Sequence, residues 1–152
     1  MKHLTHNKLL SSAQHGFIYK RSTVTQQLNL LNNLTHNFDK KTHTDLVYLD
    51  LSKAFDRVSH QKLIQVLKFF RIDFKIILWL KEYLLCRKQK TVVEGNYSNY
   101  KNITSGVPQG SVLGPLLFIL YVEDLLRTII SNCPNINLFS FVMISKSWDI
   151  SN

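Results

Sequence analysis

The segment Leu46–Leu51 constrains the fold more than any other part of the sequence, because it is almost continuously apolar and rich in strand-forming residues. Such a run predicts a strand that is buried on both faces and therefore lies inside a sheet. Asp50 interrupts the run near its C-terminal end. Burying a lone carboxylate is costly in free energy. Asp50 is therefore expected to pair with a Lys or Arg, to cap a turn or to hold a metal ion.

The rest of the chain carries mostly helical patterns. Apolar residues at helical spacing predict four helices: from Ser22-Thr23, over Leu63–Phe70, after a cap at Asp73, and over about 116–130. Extended segments are predicted at two more places: a hairpin with a Gly95-Asn96 turn, and a short strand that opens at Ile136. This mixture predicts the α+β class, and a length of 152 residues suits one domain.

Composition narrows the class of protein. The chain has 19 Lys+Arg against 10 Asp+Glu, a formal net charge of +9. Its longest apolar run, Val112–Val122, is too short to span a bilayer, and the N-terminus lacks the apolar region of a signal peptide. Cys86 and Cys133 form no CxxC pair, which fits a reducing compartment. We therefore expect an intracellular protein, nuclear or cytoplasmic, with no membrane association and with a polyanionic partner such as nucleic acid.

Positive charge is concentrated in the middle of the chain. Between residues 62 and 90, Lys and Arg side chains are opposed only by Asp73 and Glu82. Two interpretations remain open: a solvated outer face, or a track for phosphates whose binding weakens steeply with salt.

A second unusual segment runs from Ser105 to Pro115, where three of the five glycines and two of the three prolines lie. Glycine lets a backbone approach a ligand that a side chain would block, and proline stiffens the segment. Gln109 stands between them and has the groups to hydrogen-bond a base or a sugar. The sequence leaves open a ligand-facing loop and a tight loop that merely enters the next helix.

Both segments resemble motifs of one family. Residues 47–60, VYLDLSKAFDRVSH, resemble motif A of reverse transcriptases from non-LTR (LINE-type, jockey-like) retrotransposons, and residues 105–121, SGVPQGSVLGPLLFILY, resemble motif B. The resemblance extends over about residues 3–139. It implies part of the fingers and palm of a right-hand polymerase, with helices packed on a small antiparallel palm sheet. Residues 1–139 would then be a partial reverse transcriptase domain, from the fingers–palm junction to the start of the motif C strand, and 140–152 a divergent tail.

The resemblance also implies chemistry and site residues. The family joins dNTPs to a DNA 3′-hydroxyl on an RNA template, by catalysis with two Mg²⁺ ions. By motif position, Asp50 would be the catalytic, metal-binding carboxylate, assisted by the backbone carbonyl of Leu51. Phe55 would be the steric gate beneath the sugar, although outside the motif it reads as a core aromatic, and Asp56 would fix local structure. The surface beside the nucleotide and template would be shaped by Gly106, Pro108, Gln109 and Gly110.

The family pattern breaks at motif C. Ser140-Phe141-Val142 stands where the family has Ala-Asp-Asp, and neither Phe141 nor Val142 can bind Mg²⁺. Asp149 comes about seven residues too late to replace them. One carboxylate cannot hold two ions at the required spacing, so the chain by itself is expected to be an inactive, truncated polymerase fragment. Two alternatives stay open: a non-catalytic basic remnant that binds nucleic acid, and a decayed copy without function.

Overall fold

The computed structural model describes Leu4 and residues 9–140. It contains four helices, α1 (Thr23–Asp39), α2 (His60–Phe69), α3 (Phe74–Leu85) and α4 (Leu113–Asn132). Between α3 and α4 lie four two-residue strands, β1 (Lys88–Gln89), β2 (Val92–Val93), β3 (Asn96–Tyr97) and β4 (Lys101–Asn102). The mixture of helices with small antiparallel sheets confirms the α+β prediction.

Two helices begin where the sequence predicts side-chain caps. Ser22 caps α1 by accepting a hydrogen bond from the Thr25 backbone, and the Thr25 side chain in turn accepts one from Ser22 N–H. Asp73 caps α3 by accepting a hydrogen bond from Lys75 N–H at 2.8 Å. These caps supply partners for backbone N–H groups that have none inside a helix.

The last helix is longer than predicted. It runs from Leu113 to Asn132, whereas the apolar spacing predicted about 116–130. Its first turn is held because the Ser111 hydroxyl accepts a hydrogen bond from Gly114 N–H at 2.9 Å. Among the described residues, no helix combines the length and the apolar character that crossing a membrane would require.

The core lies between α2, α3 and α4. Apolar residues at helical spacing on α2 are buried against the other two helices. The fully buried members that fill this interface are Leu63, Leu67, Phe70, Leu84 and Leu117. The core is therefore helical.

The four strands form a ribbon, defined here as residues 88–102, that stays outside this core. β1 pairs antiparallel with β4, and β2 with β3. The turn between β2 and β3 is Glu94-Gly95, with φ of +47° and +79°, as tight hairpins require, and not Gly95-Asn96 as predicted. All strand residues are exposed. The expectation of helices packed on a small antiparallel sheet is wrong for the described residues, whose helices pack on one another.

The predicted strand over Leu46–Leu51 is also wrong. Residues 42–51 adopt no regular structure, and the apolar side chains of 46–51 are between 46% and 80% exposed. A strand needs a neighbour for its backbone hydrogen bonds, and no part of the chain that the structure describes pairs with this segment. Apolar sequence alone cannot bury a segment that has nothing to cover it.

Helix α1 shows the same effect. The helix forms as predicted, but none of its residues is buried, and Val24, Leu28, Leu31 and Phe38 of its apolar stripe are exposed. A helix makes its hydrogen bonds and caps within its own segment, so α1 can form alone. Burying its apolar side chains requires a second element that packs against them.

The described part of the predicted strand, residues 136–140, forms one bridge. His15 N–H donates to the Ser140 carbonyl at 3.0 Å, and Ser140 N–H donates to the Ala13 carbonyl at 2.9 Å. Phe141, Val142 and the tail that contains Asp149 lie outside the described residues.

A buried carboxylate ties the N-terminal segment to α4. Glu123 accepts hydrogen bonds from Ser11 N–H at 2.9 Å and from the Arg127 side chain at 3.2 Å. Arg127 also donates to the Leu9 carbonyl at 2.5 Å. Burial raises the pKa of Glu123, while the hydrogen bond from Ser11 and the charge of Arg127 act in the opposite direction.

Two adjacent phenylalanines test the helical core. Phe70→Ala removes a fully buried ring and should lower the free energy of unfolding by about 3–5 kcal/mol. Phe69 is 62% exposed, so Phe69→Ala should cost about 1 kcal/mol or less. Urea denaturation followed by circular dichroism measures both, and equal losses would contradict the burial pattern.

The raised pKa of Glu123 makes a prediction about pH. Because the folded-state pKa lies above the unfolded value, the stability that Glu123 contributes is fully present below the unfolded pKa and is lost as pH rises through the folded pKa. Glu123→Gln, which stays neutral, should lack this loss. The unfolding free energy of the variant, minus that of the parent, should therefore increase as the pH rises above about 4.3, the pKa of an unperturbed Glu. Asp124→Asn serves as the control for removing a carboxylate, and a difference independent of pH would refute the prediction.

Candidate active site

The turn at residues 52–58 and the Gly/Pro loop at residues 105–111 are joined backbone to backbone. Gly106 N–H donates to the Val58 carbonyl at 2.8 Å, and Val107 N–H donates to the Phe55 carbonyl at 2.9 Å. The Ser105 hydroxyl donates to the Asp56 carbonyl at 2.8 Å. These bonds bring together two segments that are about fifty residues apart in the sequence and that both resemble polymerase motifs.

Gly106 is required for this contact. Its φ is +87°, a conformation that side chains disfavour. A Cβ atom at this position would lie 2.8 Å from the Asp56 Cα and 2.9 Å from the Asp56 carbonyl oxygen. The motif's glycine therefore serves the approach of two backbones.

The carbonyl of Gly106 receives two further hydrogen bonds. His60 Nε2 lies 2.8 Å from it and Arg87 Nη2 donates to it at 3.1 Å. Because a carbonyl only accepts, His60 must carry its proton on Nε2. The first turn of α2 and the end of α3 thus both hold the loop in place.

The second half of the loop leads into α4. The Ser111 hydroxyl donates to the Pro108 carbonyl at 2.8 Å, and a Cβ at Gly114 would lie 2.3 Å from that same oxygen. Gln109 is exposed, and its amide donates to an Asp56 carboxylate oxygen at 3.3 Å. Gly110 is exposed, with a φ of +78° and open space around it.

The Phe55 side chain points from the turn into the apolar core. Its ring is buried and stacks on Phe118 of α4, with centroids 4.3 Å apart and planes 19° from parallel. This contact anchors the turn to the helix that follows the loop. The observed position agrees with the core-aromatic reading of Phe55, and its role as a steric gate stays a prediction.

Asp50 and Leu51 line a groove to which the loop does not contribute. Both are exposed and line a groove of about 340 Å³ against α4, together with Arg57 and Tyr121. None of the loop residues 105–111 lines this groove. Among the predicted site residues, the structure therefore joins Phe55 to the loop through the turn, and it sets Asp50 and Leu51 beside the turn on the α4 side.

The donors in the described residues do not fit a two-metal site. No three His, Cys, Asp or Glu side chains within that part of the chain approach one another closely enough to hold an ion. Asp50 contributes one carboxylate, and the Asp56 carboxylate is bonded to Gln109. Two Mg²⁺ ions need shared carboxylates between them, so this donor set is incomplete.

Sequence reasoning missed two residues that hold the loop. His60 enters the sequence analysis as the last residue of motif A, and Arg87 as a basic residue of the middle segment, where the family has similar residues. His60 occupies the apolar stripe of α2, at helical spacing from Leu63 and Leu67. A polar residue on an apolar stripe is the signal that could have identified it as a buried hydrogen-bonding group. Arg87 carried no such signal.

Comparison with known proteins identifies the family. The family model for reverse transcriptase (RNA-dependent DNA polymerase) matches residues 1–142, which is nearly the whole chain. The chain therefore belongs to the reverse transcriptase family, as the two motifs predicted.

Its relatives are polymerases of mobile elements. A probable RNA-directed DNA polymerase from transposon BS of Drosophila melanogaster is 38% identical over 133 residues, 87% of this chain. The RNA-directed DNA polymerase from mobile element jockey of Drosophila funebris is 33% identical over 112 residues, 74% of this chain. The chain spans only 14% and 12% of the length of these two relatives.

Alanine substitutions at two glycines of the loop distinguish the cost of a steric clash from the cost of backbone strain. Gly106→Ala and Gly110→Ala both place a side chain at positive φ, which costs about 1–2 kcal/mol. Only Gly106→Ala also drives a Cβ into the Asp56 backbone, which should cost at least about 1–3 kcal/mol more. Chemical denaturation of the two variants measures the difference, and equal stabilities would mean that the docked turn and loop are not held as described.

Proposed function

We propose that this chain supplies the motif A and motif B region of a retrotransposon RNA-directed DNA polymerase. The reaction of the whole enzyme is the RNA-templated addition of dNTPs to a DNA 3′-hydroxyl. The observation that carries the proposal is the docking of the 52–58 turn on the 105–111 loop, with Gly106 N–H and Val107 N–H bonded to carbonyls of the turn. In a reverse transcriptase, this contact would hold the nucleotide-facing and template-facing segments in one rigid unit, within the palm and fingers of a right-hand polymerase.

Each predicted site residue takes a role within that unit. Gly110 has a φ of +78°, which suits glycine, and the open space around it leaves room for a nucleotide or template to approach. Gln109 is exposed, and its weak 3.3 Å contact with Asp56 leaves its amide available to a base or a sugar. Gly106 and Pro108 shape the backbone that presents them.

Phe55 would form the floor beneath the sugar of the incoming nucleotide. Its stacking on Phe118 supports this role, because a ring fixed in one position can exclude a 2′-hydroxyl, whereas a free ring would move aside. The same stacking makes Phe55 part of the core.

Asp50 would be the one catalytic carboxylate that this chain contributes, with the Leu51 carbonyl beside it. Its exposed position at a groove supports access by a ligand. Because Ser140-Phe141-Val142 replaces the family's Ala-Asp-Asp, the donor set stays incomplete, and we expect the isolated chain to be inactive. The family implies Mg²⁺, for which the carboxylates of the described residues are too few.

The partners follow from the family reaction. An RNA template, a DNA primer and dNTPs are all polyanions, and the net charge of +9 suits them. Because these substrates occur inside cells, the nucleus or the cytoplasm is the expected location. The second candidate function, nucleic-acid binding without catalysis, is favoured by the same charge.

Primer extension tests the proposal. The 152-residue chain should extend no primer on an RNA template with dNTPs and Mg²⁺, whereas a chimera in which residues 46–120 replace the matching segment of the jockey polymerase should extend it. In that chimera, Asp50→Asn should lower the rate at least about 1000-fold, because it removes a group required for the transition state.

Asp56→Asn is the matched control in the chimera. Asp56 is bonded to Gln109 and is not assigned to catalysis, so its loss should lower the rate by about tenfold or less, as expected for one weakened hydrogen bond. Extension by the isolated chain that disappears in Asp50→Asn would overturn the expected inactivity. Equal effects of the two substitutions in the chimera would overturn the role given to Asp50.

A further inference from the structure

The ribbon at residues 88–102 is a separate, exposed feature of the surface. Its strands pair only with each other, β1 with β4 and β2 with β3, and all of their residues are exposed. The ribbon buries no side chain in the core, so packing does not explain its sequence.

The charge of the ribbon is strongly positive. Lys88, Lys90 and Lys101 are exposed along it, and the single acidic residue, Glu94, lies at its outer turn. Lys88 and Lys101 occupy adjacent positions of the β1–β4 pair, where Lys88 is opposite Asn102 and Gln89 is opposite Lys101. Because neighbouring residues of a strand point to opposite faces, these two lysines make both faces of the ribbon positive.

Two tyrosines lie within the same positive patch. Tyr97 is 66% exposed and Tyr100 is 65% exposed. The Lys90 ammonium lies 3.9 Å from the centroid of the Tyr97 ring and 5.3 Å from that of Tyr100. Aromatic rings in water beside a cation are the combination that binds an unpaired base together with its phosphate.

The base of the ribbon is joined to the Gly/Pro loop. Ile103 N–H donates to the Arg87 carbonyl at 3.0 Å, which closes the ribbon, and the Arg87 side chain donates to the Gly106 carbonyl at 3.1 Å. The base of the ribbon is therefore adjacent to the loop.

We propose that the lysine–tyrosine patch of the ribbon (Lys88, Lys90, Tyr97, Tyr100 and Lys101) binds a single-stranded nucleic acid continuing from the loop. This deepens the proposed function and rests on it, because the loop is there assigned to the template and nucleotide. The lysines contact phosphates, and the tyrosines stack on bases. A duplex keeps its bases stacked inside, so it can use the lysines but not the rings.

Fluorescence anisotropy of labelled nucleic acids, titrated with the 152-residue chain, tests the contribution of the ribbon lysines to binding. The probes are a labelled 20-nucleotide single-stranded RNA, the same sequence as DNA, and the corresponding duplex, each titrated at several salt concentrations. Replacing Lys88, Lys90 and Lys101 by Ala should lower the slope of log affinity against log salt by about 2 and weaken single-strand binding at least about tenfold.

The matched control removes three charges elsewhere. The control replaces three exposed lysines of α2 and α3, Lys68, Lys75 and Lys81, by Ala. Affinity for the single strands should change by less than about twofold, because these side chains lie outside the ribbon and face solvent. A control loss equal to or greater than the ribbon loss would overturn the proposal and assign binding to the helices.

The two tyrosines should contribute to binding of the single strand but not of the duplex. Tyr97→Ala with Tyr100→Ala should weaken binding of the single-stranded probes about tenfold, with the salt slope and the duplex affinity unchanged. Tyr19→Ala is the control, since Tyr19 is 84% exposed and also lies near a lysine, Lys20, but outside the ribbon. Equal losses for single strand and duplex, or no loss at all, would overturn the proposal.

The two single-stranded probes identify the occupant. Tighter binding of the RNA supports the template as the natural ligand of the ribbon, and tighter binding of the DNA supports the primer. Binding is measured without primer extension, so the ribbon result stands even if Asp50→Asn and Asp56→Asn behave alike in the chimera. In that case the proposed function fails separately.

Discussion

The close approach of the Gly106 backbone to the turn at residues 52–58 is the contact on which the candidate site depends. Every element around it uses that approach: Phe55 fixes the turn on α4, while His60 and Arg87 bring α2 and α3 to the Gly106 carbonyl. A side chain at position 106 would collide with the Asp56 backbone, so the arrangement tolerates only glycine there. The loop is thus held by the turn, by His60 of α2 and by Arg87, which follows α3, and not by its own stiffness alone.

This organisation separates a rigid part of the molecule from an uncovered part. The α2–α3–α4 core, the turn and the loop share buried apolar contacts. The apolar stripe of α1 and the segment Leu46–Leu51 have no cover from the residues that the structure describes. Asp50 belongs to the uncovered part, whereas its motif neighbours Phe55 and Val58 belong to the core. One motif therefore spans both environments, because Asp50 is exposed whereas Phe55 and Val58 are buried.

Charged side chains fix the N-terminal segment. Glu123 and Arg127 hold it on α4, and Arg21 donates to backbone carbonyls of Ser11, Ser12 and Gln14. Because burying a lone carboxylate is costly in free energy, the two donors to Glu123 Oε1 help to offset that cost. By contrast, the lysines and tyrosines of the ribbon are exposed and contribute nothing to the core. A ligand accounts for their arrangement better than folding does.

The sequence by itself determined the family, the helices and the two motif segments. Helices follow from local periods and caps such as Ser22 and Asp73, and a family match depends on residue order alone. Only the tertiary structure decided that Gly106 meets Asp56, that His60 and Arg87 hold the loop, and that Phe55 stacks on Phe118, because these contacts join residues far apart in the chain. It also decided that Leu46–Leu51 is exposed. A strand depends on a neighbour for its hydrogen bonds, and that requirement cannot be read from the strand's own residues.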